Sequence, residues 1–163
     1  MNGDDKLYKK LDELNINFQY DEHPPAPTIE IAKKYWKDLD AKHCKNLFFR
    51  NHKGKKHYLV IIDHNEDLSI KSLEARLKQG KLSFASEWRM EKYLKLKPGS
   101  VTPFGIINDT ENHVKLFIDK NLKEAEKISF HPNINTATLT IKFEDFIKFL
   151  DDSGNEYEFV ELY

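Results

Sequence analysis

The amino-acid sequence predicts an α+β (mixed α/β) fold: a mixed, mainly antiparallel sheet with helices packed around it. Three observations predict it. Patterns of helical and strand period interleave along the chain, and several strand patterns follow one another through turns too short for a crossover helix. No repeat, low-complexity tract or long linker divides the 163 residues. A single domain over 1–163 is therefore expected, long enough to bury one core.

The elements follow in order. Lys6 to Leu14 reads as a short helix with Leu7, Leu11 and Leu14 on one face. Phe18 to Glu22 reads as a strand, closed by the Pro-rich segment from His23 to Pro27. Thr28 caps a second helix, which turns Ile31, Ala32 and Tyr35 inward. Lys45 to Arg50 and Lys56 to Asp63 carry the strongest strand signal, with Gly54 between them. Tyr58-Leu59-Val60-Ile61-Ile62 is apolar on both faces and predicts a central strand. A helix over Ser69 to Lys78 ends at Gly80, and Ser86 caps a further helix that Pro98-Gly99 terminates. Strands are predicted at Gly105 to Ile107, Val114 to Ile118, Lys127 to Phe130 and Thr136 to Ile141. A helix from Phe143 to Leu150 and a closing strand from Tyr157 to Leu162 complete the chain.

Composition narrows the function classes. Hydrophobic residues make up 39%, with eleven Phe, seven Tyr and two Trp, which is a globular composition. No stretch approaches the roughly 18 apolar residues that span a bilayer. The start, Met1-Asn2-Gly3-Asp4-Asp5, is acidic and unlike a secretory leader. Cys44 is the only cysteine, so a reducing, cytoplasmic setting is expected. A net charge of −1 argues against coating long nucleic acid but leaves room for gripping a short end. Lys33, Lys34 and Lys37, Lys53, Lys55 and Lys56, and Lys92, Lys95 and Lys97 form clusters that read first as solvated faces.

Standard catalytic kits are missing. The seven His include no pair at helical metal-ligand spacing, and one Cys builds no thiolate zinc site. Neither a metal nor a cofactor is expected. Asp63, Glu66 and Asp67 read as a solvated turn, and Cys44 as a small buried hydrophobe. Lys45 is more informative. In an extended segment it shares a face with Leu47 and Phe49, which would hold an ammonium at the mouth of an apolar cavity. The alternative is a packed stem with its head in water. Gly99-Ser100-Val101-Thr102-Pro103-Phe104-Gly105 joins a helix to a strand with Gly at both ends, where backbone N–H groups outside any ladder can stabilise an oxyanion. His131 stands at a strand end before Pro132.

Taken together, these segments resemble one family, the YbaK-type editing domains related to the insertion domain of bacterial prolyl-tRNA synthetases. The carrying residues are Lys45-Asn46-Leu47-Phe48, Leu82-Ser83-Phe84-Ala85-Ser86 and Gly99 to Asp109, followed by Phe130-His131-Pro132 and Asn135-Thr136-Ala137-Thr138. His23-Pro24-Pro25 with Thr28 is similar to an early His-Pro segment of the family. The resemblance spans about Leu7 to Leu150 and is nearest to free-standing alanyl-tRNA(Pro) deacylases. Glu87-Trp88-Arg89 and Ala26-Pro27 depart from the pattern.

The resemblance implies a barrel-like sheet and deacylation of mischarged tRNA. A proline-sized synthetase site cannot reject the smaller alanine, because a methylene contributes only about 1–3 kcal/mol of discrimination, so a second sieve is needed. By the same resemblance, Lys45, Gly99, Ser100, Val101 and Gly105 are candidate catalytic residues, the glycine loop supplying oxyanion donors. His23, Thr28, Asn46, Pro103, His131, Asn135 and Thr136 are candidates for holding the CCA end and amino acid. The implied partner is the acceptor end of tRNA(Pro) carrying alanine, with prolyl-tRNA synthetase as a further partner and a monomer as the working state. Cysteinyl-tRNA(Pro) as substrate, or a non-catalytic aminoacyl-tRNA-binding module, are the alternatives.

Overall fold

The computed structural model describes residues 1–26, 28–36 and 40–163, and all but the side chain of Ile29 among them. Pro27 of the Pro-rich segment and Lys37 of the first lysine cluster lie outside the described residues. The elements run α1 (Asp5–Glu13), β1 (Gln19–Glu22), α2 (Ile29–Trp36), β2 (Lys42–Asn51), β3 (His57–Asp63) and α3 (Ile70–Leu77). There follow β4 (Leu82–Phe84), α4 (Glu87–Leu94), a 3-10 helix (Pro103–Asn108), β5 (Val114–Asp119) and a second 3-10 helix (Lys120–Glu124). The chain closes with β6 (Lys127–Phe130), β7 (Ala137–Lys142), α5 (Phe143–Ser153) and β8 (Tyr157–Val160).

The eight strands form one sheet in the order β1-β7-β6-β2-β3-β5-β8, with β4 attached to β2. β1–β7, β2–β3, β2–β4 and β6–β7 are antiparallel, whereas β2–β6, β3–β5 and β5–β8 are parallel. The sheet is therefore mixed and, in place of the barrel-like sheet that the resemblance implies, stays open, since β1 and β8 at the two ends of the path do not pair with each other.

β3 is the central strand that its double-sided apolar pattern predicts, flanked by β2 and β5. Leu59 and Ile61 enter the main core with α1, α4 and α5, while Tyr58, Val60 and Ile62 pack with Leu73 and Leu77 of α3. Burying each such aliphatic side chain contributes about 1.5–3 kcal/mol.

Local chemistry explains the other elements and three departures from the sequence expectation. Asp4 caps α1 by accepting from the Lys6 N–H at 3.0 Å, and Ser69 caps α3 through the Ser72 N–H at 3.1 Å. Gly105 to Ile107 is helical rather than extended. Pro103 supplies a φ suited to a first helical position, and the Thr102 hydroxyl accepts from the Phe104 N–H at 3.3 Å. α3 ends at Lys78 and α4 at Lys95, each in the left-handed conformation with its N–H returned to the helix, so Gly80 and Gly99 lie beyond the ends.

A cleft at the open edge of β2

β2 has a continuous partner on one edge only. β3 covers it from Cys44 to Arg50. The other edge is shared, with β6 taking Lys42 and His43, and β4 taking Phe49 to Asn51. Between these two partners no strand among the described residues lies along this edge of Cys44 to Leu47. The His43 carbonyl faces the β3 side, accepting from the His64 N–H, and the Phe48 carbonyl faces the other, accepting from the Ala85 N–H, both at 2.9 Å. By antiparallel alternation, Asn46 directs its own backbone groups to the uncovered edge.

A cavity of about 310 Å³ opens there. Its wall takes Lys45 and Asn46 from β2, Gly99 and Val101 from the loop after α4, Thr28 from the start of α2, and His131 from the end of β6. Six residues singled out from the sequence, widely separated along the chain, thus share one cleft. Ser129, Thr138, Met90 and Phe84 line it as well.

The side chains are held in specific ways. Lys45 Nζ donates to the Glu66 carbonyl at 2.8 Å and pairs with the Asp67 carboxylate, whose pKa this contact lowers. Lys45 is only 18% exposed, so its stem packs and the residue lines the cleft while its ammonium is held by Glu66 and Asp67. Asn46 projects to the opposite face of β2, and its Oδ1 is buried without a hydrogen-bond partner among the described residues. An unmade hydrogen bond of this kind is costly, and it is common where a ligand supplies the missing donor.

His131 Nδ1 lies 2.8 Å from the Ala137 carbonyl. A carbonyl only accepts, so in the neutral ring the proton sits on Nδ1 and Nε2 keeps its lone pair. Burial lowers the His131 pKa, which keeps that acceptor available at neutral pH. His23 lies behind the wall. Its Nδ1 donates to the Pro24 carbonyl at 2.8 Å, so Nε2 accepts from the Thr138 hydroxyl at 2.9 Å. Thr138 thus lines the cleft with its hydroxyl hydrogen given to His23. Asn135 and Thr136 act through their carbonyls, which accept from the Ala26 and His23 N–H groups at 2.9 and 3.0 Å and tie the Pro-rich segment to the β6–β7 turn.

The glycine loop divides. Ser100 N–H donates to Lys97, and Gly105 N–H to Thr102, while Pro103 has none. Gly105 is a packing residue in its surroundings, since a Cβ there would sit 2.6 Å from Leu96 Cδ1. Gly99 and Val101 retain N–H groups without a partner among the described residues, and both line the cleft. Cys44 also lines it, but burial raises its thiol pKa well above the usual value, so it stays protonated. Ser129 escaped sequence reasoning and Thr138 entered only as part of a family motif, although hydroxyls in otherwise apolar strands were their signal.

The family model for the aminoacyl-tRNA editing domain matches residues 23–149. The chain belongs to that family. Among related editing proteins, the prolyl-tRNA editing protein ProX of Acetoanaerobium sticklandii is 41% identical over 99% of both chains. The prolyl-tRNA synthetase associated domain-containing protein 1 of Mus musculus is 34% identical over 93% of this chain and 91% of its own. A solved structure described as a "putative trans-editing enzyme for prolyl tRNA synthetase" superposes with a TM-score of 0.71 at 14% identity, covering 96% of this chain and 95% of that one, and shares the fold. The cleft residues Thr28, Lys45, Asn46, Gly99, Val101 and His131 all fall within the matched editing domain. No helix among the described residues is long and apolar enough to cross a membrane.

Proposed function

We propose that this editing domain is a cytoplasmic deacylase that removes alanine from mischarged tRNA(Pro). The convergence of Lys45, Asn46, Gly99, Val101 and His131 on one small cavity carries the reading. A volume of about 310 Å³ suits a small amino acid with part of the terminal ribose and adenine. The relatives named for prolyl-tRNA support tRNA(Pro) as the carrier.

The chemistry uses groups already placed. Lys45 at the rim attracts the phosphate of the terminal adenosine, and the orphaned Asn46 Oδ1 accepts from the α-amino group or a ribose hydroxyl. Water, or the adjacent ribose hydroxyl assisting it, attacks the ester carbonyl and gives up its proton toward His131 Nε2. The Gly99 and Val101 N–H groups donate to the oxygen that gains charge, the kind of contact worth about 3–4 kcal/mol in other acyl-transfer enzymes. Collapse expels the ribose oxygen, which takes the proton, leaving alanine and free tRNA.

Incubating the protein with alanyl-, cysteinyl- and prolyl-tRNA(Pro) tests this. Alanyl-tRNA(Pro) is the expected substrate and prolyl-tRNA(Pro) is expected to survive. Preferential loss of cysteine would move the substrate to cysteinyl-tRNA(Pro), and hydrolysis of none would leave a binding module.

A further inference from the structure

We propose that Phe84 and Trp88, flanked by Arg89 and Lys92, form a stacking platform for the unpaired nucleotides of the RNA whose terminal ester enters the cleft. The proposal rests on the deacylase reading and adds a binding subsite to it.

The exposure of the two rings is the starting point. Among the described residues the exposed large hydrophobics are Met1, Tyr163, Phe84 and Trp88, and the first two are the terminal residues. Phe84 is 57% and Trp88 56% exposed, although they lie four residues apart between β4 and the first turn of α4. Phe84 also lines the cleft, and Trp88 stands four residues on, in the first turn of α4 and outside the lining. One face of the Phe84 ring rests on Phe49, with centroids 4.7 Å apart.

Two cations without an acidic partner among the described residues flank the Trp88 ring. The Arg89 guanidinium lies 4.4 Å from the Trp88 ring centre and Lys92 Nζ lies 6.0 Å from it. Arg89 also donates to the Gly54 carbonyl and to His57 Nε2, each at 2.9 Å. Those two bonds hold α4 against the β2–β3 turn, joining the cluster of Lys53, Lys55 and Lys56 to that of Lys92, Lys95 and Lys97. None of these lysines has an acidic partner within ion-pair distance among the described residues.

Aromatic faces set among free cations suit single-stranded nucleic acid, because every base offers a π face and every linkage a phosphate. A protein partner is a poorer fit, since lysine is depleted at the centre of protein interfaces.

The test titrates an uncharged single-stranded RNA ending in CCA into the full-length protein and its Trp88→Ala and Trp88→Phe variants. Trp88→Ala is expected to raise Kd about 10- to 100-fold, with Trp88→Phe recovering most of the affinity. With alanyl-tRNA(Pro), Trp88→Ala should raise KM and leave kcat within about twofold; with alanyl-adenosine, which lacks the preceding nucleotides, it should change neither. Equal RNA affinity in wild type and Trp88→Ala overturns the platform, as does an equal loss on alanyl-adenosine. Trp88-dependent RNA binding without hydrolysis of any ester would sink the deacylase reading and keep the platform.

Discussion

Lys45 Nζ donates to the backbone carbonyl of Glu66 at 2.8 Å, which pins a cation from the uncovered stretch of β2 to the turn that follows β3. The same amine meets the exposed Asp67 carboxylate. Its position therefore depends on that turn, while the residue itself lines the cleft. Lys45→Ala is expected to lower single-turnover deacylation by at least about 100-fold, the scale of losing one charge-stabilising group. Circular dichroism and the melting temperature should remain close to wild type. Full activity in that variant would remove the mechanism.

Asn46 sets stability against function. Its buried Oδ1 lacks a partner in the free protein, so Asn46→Leu, of similar size, should hold or raise stability by up to about 1 kcal/mol while abolishing hydrolysis. Urea denaturation and the deacylation assay on the same sample check both halves. A large loss of stability would show that the amide serves the fold instead.

Gly105 is expected to matter for packing. A methyl group there meets Leu96 Cδ1 at 2.6 Å and Leu94 Cβ at 3.3 Å within the main core. Gly105→Ala should destabilise by about 1–3 kcal/mol, read as a lower urea midpoint. An unchanged midpoint would mean that Leu96 moves aside freely.

His57 makes folding sensitive to acid. Arg89 donates to its Nε2, so the neutral ring carries its proton on Nδ1 and donates to His113 Nε2 at 2.8 Å. Burial, then His113 and Arg89, lower its pKa from 6.5 to about 4. The unfolded chain therefore binds this proton first. The stabilisation is complete above about pH 6.5 and is lost as pH falls toward 4, a contribution of about 2–3 kcal/mol for a residue only 1% exposed. His57→Gln should flatten the fall in urea midpoint between pH 7 and 4.5. An equally steep fall would assign the loss to other groups.

RNA affinity should weaken with salt despite the net charge of −1. If the joined lysine clusters touch phosphates, log Kd rises linearly with log salt, by about 0.7–0.9 for each phosphate contacted. A flat response between 50 and 200 mM salt, roughly the range over which such contacts weaken, would contradict phosphate contact.

Amphipathic spacing and β-branched runs, both properties of neighbouring residues, determined most of the elements: α1, the central β3, and α5 with its inward Phe146 and Leu150. The local motifs of the site, Lys45-Asn46, Gly99 and His131, were legible for the same reason, each being a residue type suited to its chemistry within a short local pattern. Gly105 misled because a glycine before two isoleucines looks extended, whereas the Thr102 cap and Pro103 turn it helical. Strand pairing was beyond local pattern. Parallel and antiparallel ladders have the same side-chain period, so only the folded chain decided that β6 and β4 divide one edge of β2 and leave Cys44 to Leu47 uncovered. That gap, produced by contacts between distant segments, turns separate motifs into one cleft. Tertiary structure likewise decided which loop N–H groups stay free and that Arg89 joins two lysine clusters, because hydrogen-bond satisfaction depends on partners that sequence distance does not reveal.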